Sequence, residues 1–517
     1  MSSEAPDDHC CGHETTSHED PAPQPLITET GSQRKAKIAV VGCSHGEMDA
    51  IYEVFFRKKN FIYKKEIFQT MALIEEKKGY KFDLLICCGD YQSVRNYGDL
   101  HQMNVPRTYL NLQTFYKYYS GEKVAPVLTI FIGGNHEASG FLSELPNGGW
   151  VAPNIYYMGF ANCIQFAGLR IAGLSGIYKI FDAEFSHHER APFNESSIKT
   201  AYHVRNVDMF RLRQLKPAND DKTSNPIDIM LTHDWPGGIP DYGNKNWLFK
   251  KKDRFEADHD AGRLGNPVAM KLLFDCRPRY YLAAHLHIAF AALVPHKGTG
   301  TDRPQPTRFL SLDKPIPGRQ FMQALEINVA EDAKMELSYD PQWLAILKNT
   351  DLLTVADKVK IVLPDRVGRE PCIYERKDFR PTEEEMAEIE KLGDLTIKTD
   401  SFRHTAPPLK QESGQSLDDV PPSAYYRNPQ SAEFCQWLEI RDLNQMLIEK
   451  SSEYVGVPYY MMPDDVDSKP NQDDVDFGDE DFVIDRGHHE EEPEAKKIRL
   501  EGAEGVGEES GDVGASE

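Results

Sequence analysis

Between residues 36 and 287, six short apolar runs rich in β-branched residues recur, and nearly all stop at a polar group able to bind a metal. AKIAVVG runs into Cys43 and His45, DLLICCG into Asp90, and VLTIFIGG into Asn135 and His136. RIAGLSG leads into a long polar insertion, IDIMLT into His233, and YYLAA into His285 and His287. Continuous apolar runs of this length suit strands covered on both faces. The intervening EMDAIYEVFFRK and RTYLNLQTFYKYY carry helical periodicity, which predicts an α/β class. After about residue 336 the pattern turns helical, in LSYDPQWLAILKNTDLL and EMAEIEKLGDL, with a Pro-, Ser- and Gln-containing linker over 405–425. SAEFCQWLEIRDLNQMLIEK then reads as one amphipathic helix with Trp437, Ile440, Leu447 and Ile448 broadly on one face.

A chain of 517 residues exceeds one ordinary core, so two or three units are expected. With 40% hydrophobic and 27% charged residues and no long apolar run, a membrane span is excluded. Nine cysteines without periodic spacing do not form a disulfide framework, and MSSEAPDDHCCGHETTSHED lacks the basic end and apolar stretch of a secretory signal. The expected compartment is the reducing cytosol or nucleus. The net charge of −23 sits at the ends: residues 1–33 carry seven acids and no Lys or Arg, and 464–517 carry 20 acids against five bases. The middle is left near neutral and can hold a basic groove. Both tails lack the apolar content to offset ordering entropy and are expected to be disordered. His9, Cys10, Cys11 and His13 have no second half-site at finger-like spacing, and Lys496, Lys497 and Arg499 form a weak import-like patch.

Loops at the carboxyl ends of buried strands are where α/β proteins bind ligands, and here those ends carry metal donors. Two divalent ions about 3.5–4 Å apart, acting on phosphate, need one shared anionic bridge, and Asp90 after Gly89 is the natural one. Cys43, His45 and His287 complete one site beside it. Asn135, His233 and His285 complete the second. In extended backbone His285 and His287, two apart, point to one side as a pincer. Each short motif alone is weak, but their order across separated strand ends is specific.

This order, GCSHG, then GD, GNHE, LTHDW and AAHLH, resembles the calcineurin-like metallophosphoesterases, with Cys43 where that pattern begins with aspartate. The segments QTFYKYYSGEKVAPVLTIFIGGNHEAS, ELPNGGWVAPNIYYMG, SGIYK, YHVRN and AAHLHIAFAALVPH extend the likeness to the RNA lariat debranching family, from about Lys37 to Asp340. DPQWLAILKNTDLL resembles that family's carboxy-terminal region. The resemblance implies a β-sandwich flanked by helices over 36–335, an α-rich extension over 336–460, and disordered tails over 1–35 and 461–517. It implies hydrolysis of the 2′–5′ phosphodiester of intron lariats by two divalent ions, iron and zinc with manganese substituting. Water attacks phosphorus, and His136, beside ligand Asn135 yet free of the metals, protonates the departing 2′ oxygen. Nuclear residence, a monomer and splicing-related partner proteins follow from the same resemblance. A soft donor at Cys43 biases the metal toward zinc or ferrous iron; alternatively its thiol packs near His45 without ligating. Another metallophosphoesterase (a protein phosphatase or nuclease) or a non-catalytic interaction protein are the competing readings.

GIYKIFDAEFSHHERAPFNESSIKTAYHVRN is longer than a simple crossover and mixes aromatic, basic and histidine residues. Aromatic faces stack unpaired bases while cations meet phosphates, which suits a splayed branch. The resemblance makes residues 176–203 a lariat-recognition loop, with Tyr178, Lys179, Phe181, His187 and His188 as candidate contacts. Lys245, with Lys250, Lys251, Lys252 and Arg254, forms the densest basic cluster of the core and is a candidate phosphate contact.

Overall fold

The computed structural model describes residues 33–52, 71–217, 225–298, 304–365, 374–409, 416–451, 455–456 and 458–461. Residues 1–32 and 462–517, with the His/Cys and Lys/Arg clusters of the tails, lie outside the described residues, as does the whole of the second compact unit, Lys469–Glu517; Gln33, Arg34 and Lys35, expected in the amino-terminal tail, instead begin the first strand. Among the described residues no helix is long and apolar enough to cross a membrane.

Among the described residues thirteen strands build the two large sheets: β1 (Gln33–Val41), β2 (Leu84–Cys87), β3 (Thr129–Phe131), β4 (Gly149–Ala152), β5 (Ile155–Tyr157), β6 (Ala161–Phe166), β7 (Leu169–Leu174), β8 (Ile229–Thr232), β9 (Tyr280–Ala283), β10 (Phe290–Val294), β11 (Thr307–Ser311), β12 (Met322–Ala330) and β13 (Leu337–Tyr339). The first sheet runs β12-β1-β2-β3-β5-β4 and the second β10-β11-β9-β8-β7-β6-β13. Strands β1, β2, β3 and β5 are parallel, as are β7, β8, β9 and β11. Their carboxyl ends therefore leave each sheet on one side.

Alternation along the strands assembles the layers. Ile164, Ile171, Ile229, Leu231 and Leu282 join Ile38, Val40, Leu84, Ile86 and Ile130 in the core between the sheets. Their neighbours Cys163, Ala172, Met230, Tyr281 and Ala283 point the other way, into helices that include Pro267–Cys276, Pro341–Asn349 and Pro429–Leu438. A period of two with both faces apolar gives a strand buried on both sides, and the result is the expected β-sandwich flanked by helices.

Several elements depart from the helical pattern. LSY of LSYDPQWLAILKNTDLL forms β13, pairing Leu337, Ser338 and Tyr339 with Phe166, Gln165 and Ile164. The helix starts only at Pro341 because proline disfavours helical backbone in the preceding residue; Asp340 is extended and caps the Trp343 N–H at 3.0 Å. The last amphipathic segment is two helices, Pro429–Leu438 and Leu443–Glu449, since Glu439 adopts a left-handed φ of 58° and Asp442 caps a new start. RTYLNLQTFYKYY is likewise broken by Gln113 at φ 55°, leaving a 3-10 turn at Arg107–Tyr109 and a helix at Phe115–Tyr119. Of EMDAIYEVFFRK, Met48–Tyr52 is helical, and residues 53–58 lie outside the described residues.

The carboxy-terminal region is fastened to the catalytic layers by a buried ion cluster. Arg95, five residues past Asp90, binds Asp99 at 2.8 and 2.9 Å, Glu144 at 3.0 Å and the Thr405 hydroxyl at 2.8 Å, and all four side chains are fully buried. Thr405 also donates to Glu144 at 2.6 Å. Breaking such a pair strands a buried charge, which costs about 3–5 kcal/mol. Arg95→Met is expected to lower the unfolding free energy from urea titration by an amount in that range, seen as a lower midpoint, and an unshifted midpoint would refute the fastening role.

Candidate metal centre

Five strand ends converge. Past β1 come Cys43 and His45, past β2 Asp90, past β3 Asn135 and His136, past β8 His233, and past β9 His285 and His287. Backbone bonds outside the strands tie the first two exits together: His45 N–H donates to the Asp90 carbonyl at 2.6 Å and Gly46 N–H to Tyr91 at 3.1 Å. The buried Glu137 carboxylate joins the second and third by accepting from Tyr91 N–H (2.7 Å), Gln92 N–H (2.8 Å) and Gly134 N–H (2.9 Å). Burial and then Asp90 push its carboxyl up to about 8.

Two donor sets share Asp90. The ligand atoms of Cys43, His45, Asp90 and His287 all lie within 4.8 Å of one another. His45 Nε2 faces His287 Nε2 at 3.1 Å and Asp90 Oδ2 at 3.8 Å. On the other side His233 Nε2 stands 3.3 Å from Asp90 Oδ1 and 3.2 Å from Asn135 Oδ1, with the His285 ring 5.0 Å away between centroids. His233 Nδ1–H donates to the Cys88 carbonyl at 2.8 Å, which turns Nε2 toward Asp90 as the atom able to ligate; burial opposes its charge, but Asp90 raises it above the usual imidazole range, so an ion must displace that proton.

The protonation states fit cation binding. Burial opposes the charge on Asp90, but His233, then His45 and His136, outweigh it and hold the carboxyl well below its usual range. Burial lowers His45 to about 4 and His287 to about 3, so both imidazoles are neutral at pH 7 and able to ligate. Burial, then His233, also lowers His285. Asp90 Oδ1 accepts His136 N–H at 2.8 Å, whereas the buried Oδ2 has no hydrogen-bond partner. An orphaned carboxylate oxygen amid neutral imidazole nitrogens is the donor chemistry a divalent cation needs.

The pincer differs from its expected geometry. His285 (φ 61°) and His287 (φ 48°) are left-handed rather than extended, so the chain has left the strand and each ring meets a different partner, His233 or His45. His45 (φ 48°) and Asp90 (φ 47°) share this costly backbone, which a rigid scaffold must hold. Gly89, at φ 103°, allows the turn, and a Cβ there would lie 2.2 Å from His233 Nδ1. His136 stands apart from both donor sets, its Nδ1 buried without a partner and its ring 5.6 Å from that of His45.

The candidate substrate contacts divide. Lys179 is exposed and Phe181 is 86% exposed on the turn Ile180–Ala183, while Tyr178 is half-buried with its N–H 3.5 Å from Asp234 beside His233. His187 is instead buried, stacked on Phe160 at 4.1 Å and bonded to Asp208 at 2.6 Å, so its ring braces the loop rather than facing solvent. His188 is spent locally on the Ser186 carbonyl at 2.9 Å. Lys245 opens the helix Lys245–Lys251 and pairs with Asp241 at 2.7 Å. Residues 357–361 clasp the loop, through Ser186 N–H to the Val359 carbonyl (3.0 Å) and Ile361 N–H to the Glu184 carbonyl (2.8 Å). Sequence reasoning passed over Tyr202, which Asn104 holds at 2.6 Å, and Lys314, the polar residue past β11. RFLSLDKP repeats the signal of an apolar run ending in a polar group.

A family model described as calcineurin-like phosphoesterase matches residues 36–289, and one described as the C-terminal domain of lariat debranching enzyme matches 304–443. Proteins named lariat debranching enzyme are 75% identical in Caenorhabditis briggsae over 501 residues, 95% of each chain, and 72% identical in Caenorhabditis elegans over 507 residues, 97% of this chain and 98% of that one. The Homo sapiens protein of that name is 44% identical over 445 residues, 85% of this chain and 75% of that one. The chain belongs to the lariat debranching enzyme family. It is a hydrolase of the metallophosphoesterase class, and that class works with divalent metal ions. The second matched region includes β11, β12 and β13, so this family's carboxy-terminal segment completes both sheets rather than standing beside them.

Gly89→Ala adds a Cβ against His233 at a left-handed φ, about 1–3 kcal/mol of strain beyond the clash. The variant is expected to keep its far-UV spectrum and to bind less metal by elemental analysis; wild-type metal content would show that His233 does not need this approach.

Proposed function

We propose that this chain hydrolyses the 2′–5′ phosphodiester at the branch of excised intron lariat RNA, leaving linear RNA with a 5′-phosphate and a free 2′-hydroxyl. The observation that carries it is the buried Asp90 carboxylate between two imidazole sets, with Oδ2 unpaired, in a chain of the debranching family. Cys43, His45, Asp90 and His287 would hold one ion, and Asp90, Asn135, His233 and His285 the other. When bound, the two cations supply positive charge at the phosphate oxygens and make water acidic enough to attack at neutral pH.

The protein's own groups do the rest. The neutral His45 and His287 offer lone pairs without first losing protons, whereas His233, which Asp90 raises against the effect of burial, gives its Nε2 proton up to the ion. His136, anchored through its N–H to Asp90 yet outside both donor sets, donates a proton to the departing 2′ oxygen. Tyr178, Lys179 and Phe181 present aromatic and cationic groups to an unstacked branch, and Lys245 to a phosphate. His187 and His188 serve the same recognition by keeping the loop in shape. Both donor sets come from one chain, which supports action as a monomer, and the substrate supports residence in the nucleus among splicing-related proteins.

Cys43 sets the choice of metals. Burial and then Asp90 push its thiol well above the usual range, so an ion must displace the proton to gain the thiolate. That soft donor favours ferrous iron or zinc at the first site, with manganese substituting.

On matched RNAs, the protein is expected to open a 2′–5′ branch and leave a 3′–5′ linear strand intact; preference for the linear strand would overturn the assignment. His136→Ala is expected to lower kcat by about 10²–10⁴ with metal content unchanged, since only proton donation is removed; a kcat near wild type would exclude His136 as the acid. Cys43→Asp is expected to move the bound metal from iron or zinc toward manganese, and unchanged identity and occupancy would count against thiolate ligation.

A further inference from the structure

The turn after β11 places a cation at the same edge as the two donor sets. Strand β11 lies parallel to β9 with Ser311 opposite Ala283, and Leu312 N–H extends the ladder to the Ala283 carbonyl at 3.2 Å. The turn 312–314 therefore leaves the sheet where His285 and His287 leave it. From the other sheet Gly42 packs against it so closely that a Cβ on Gly42 would lie 2.3 Å from the Asp313 carbonyl oxygen. Lys314 thus sits between the exit carrying Cys43 and His45 and the exit carrying His287.

Lys314 does not pair with its neighbouring acid. The adjacent Asp313 carboxylate is occupied by Arg319 at 3.0 Å and by the Lys314 backbone N–H at 2.8 Å. Among the described residues the half-buried Lys314 side chain has no carboxylate partner. An ammonium beside a cation-binding cluster opposes the ions until an anion arrives, and a partly desolvated ammonium without a partner is costly. Among the described residues no carboxylate pairs with it, which leaves it free for an anion that comes with the substrate.

We propose that Lys314 is a phosphate clamp: its ammonium takes a non-bridging oxygen of a substrate phosphate entering on the His45–His287 side, and so positions the branch nucleotide. The inference rests on the debranching reading above. The oxygen belongs either to the reacting phosphate or to a flanking one of the same RNA, chemistry that a mobile point charge serves equally.

The test uses the full chain, wild type, Lys314→Ala and Lys314→Arg, on 2′–5′ branched RNA and on bis(p-nitrophenyl) phosphate, a diester with one phosphate. Lys314→Ala is expected to lower kcat/KM on branched RNA about 10- to 100-fold, the worth of a charge-assisted hydrogen bond. Lys314→Arg should recover most of it. The slope of log affinity against log salt should flatten by about 0.7, one single-strand phosphate, and metal content should match wild type. Loss on both substrates places the clamp on the reacting phosphate, and loss on RNA alone places it on a flanking one. Unchanged kinetics on both with an unchanged salt slope overturns the proposal, as does a loss of activity that tracks a loss of metal. Wild-type protein that cleaves the small diester but not branched RNA would instead sink the debranching reading.

Discussion

A fully buried carboxylate with one oxygen satisfied and the other bare is unstable by itself, and Asp90 is such a group. In a low-dielectric interior the charge demands a partner, yet the nearest side chains are imidazoles, two of which burial keeps neutral. The arrangement makes physical sense as one half of a salt whose cations come from outside. The rest of the centre follows. Asn135 offers a neutral oxygen to the second set, Cys43 offers a thiol to the first, and His233 is turned toward Asp90 by the Cys88 carbonyl.

Holding that group requires the sandwich. Asp90, His45, His285 and His287 all occupy left-handed backbone that L-residues rarely adopt, and such strain persists only where the surroundings over-determine it. Backbone bonds between strand exits, the Glu137 bridge and the Arg95 cluster supply the over-determination close to Asp90. The carboxy-terminal region takes part twice. It donates strands to both sheets, and its 357–361 segment clasps the loop that carries Tyr178 and Phe181. The proposed recognition loop and the donor sets are thereby mounted on the same rigid layers, which keeps the two in register.

Most of the donors were legible before folding because each ends an apolar strand, and a strand end in a parallel sheet is a fixed address. The proposed recognition loop was legible only in outline. Composition could not separate Phe181, left in solvent, from His187, drawn inward by Phe160 and Asp208, because that choice depends on residues distant in sequence. Lys314 was missed for a similar reason: a lysine after a strand is ordinary until the paired strand beside it is known.

The sequence by itself determined the strand pattern, the identity and order of the donors, the family, and the confinement of negative charge to the two ends. These are properties of residue type and spacing, carried wherever the chain goes. Only the tertiary structure decided which imidazole meets which. The left-handed turns at His285 and His287 send neighbours to opposite donor sets, and parallel pairing of β9 with β11 brings the turn carrying Lys314 to the same edge. The physical reason is that burial and through-space charge act between groups the chain separates by scores of residues, and no local pattern encodes those distances.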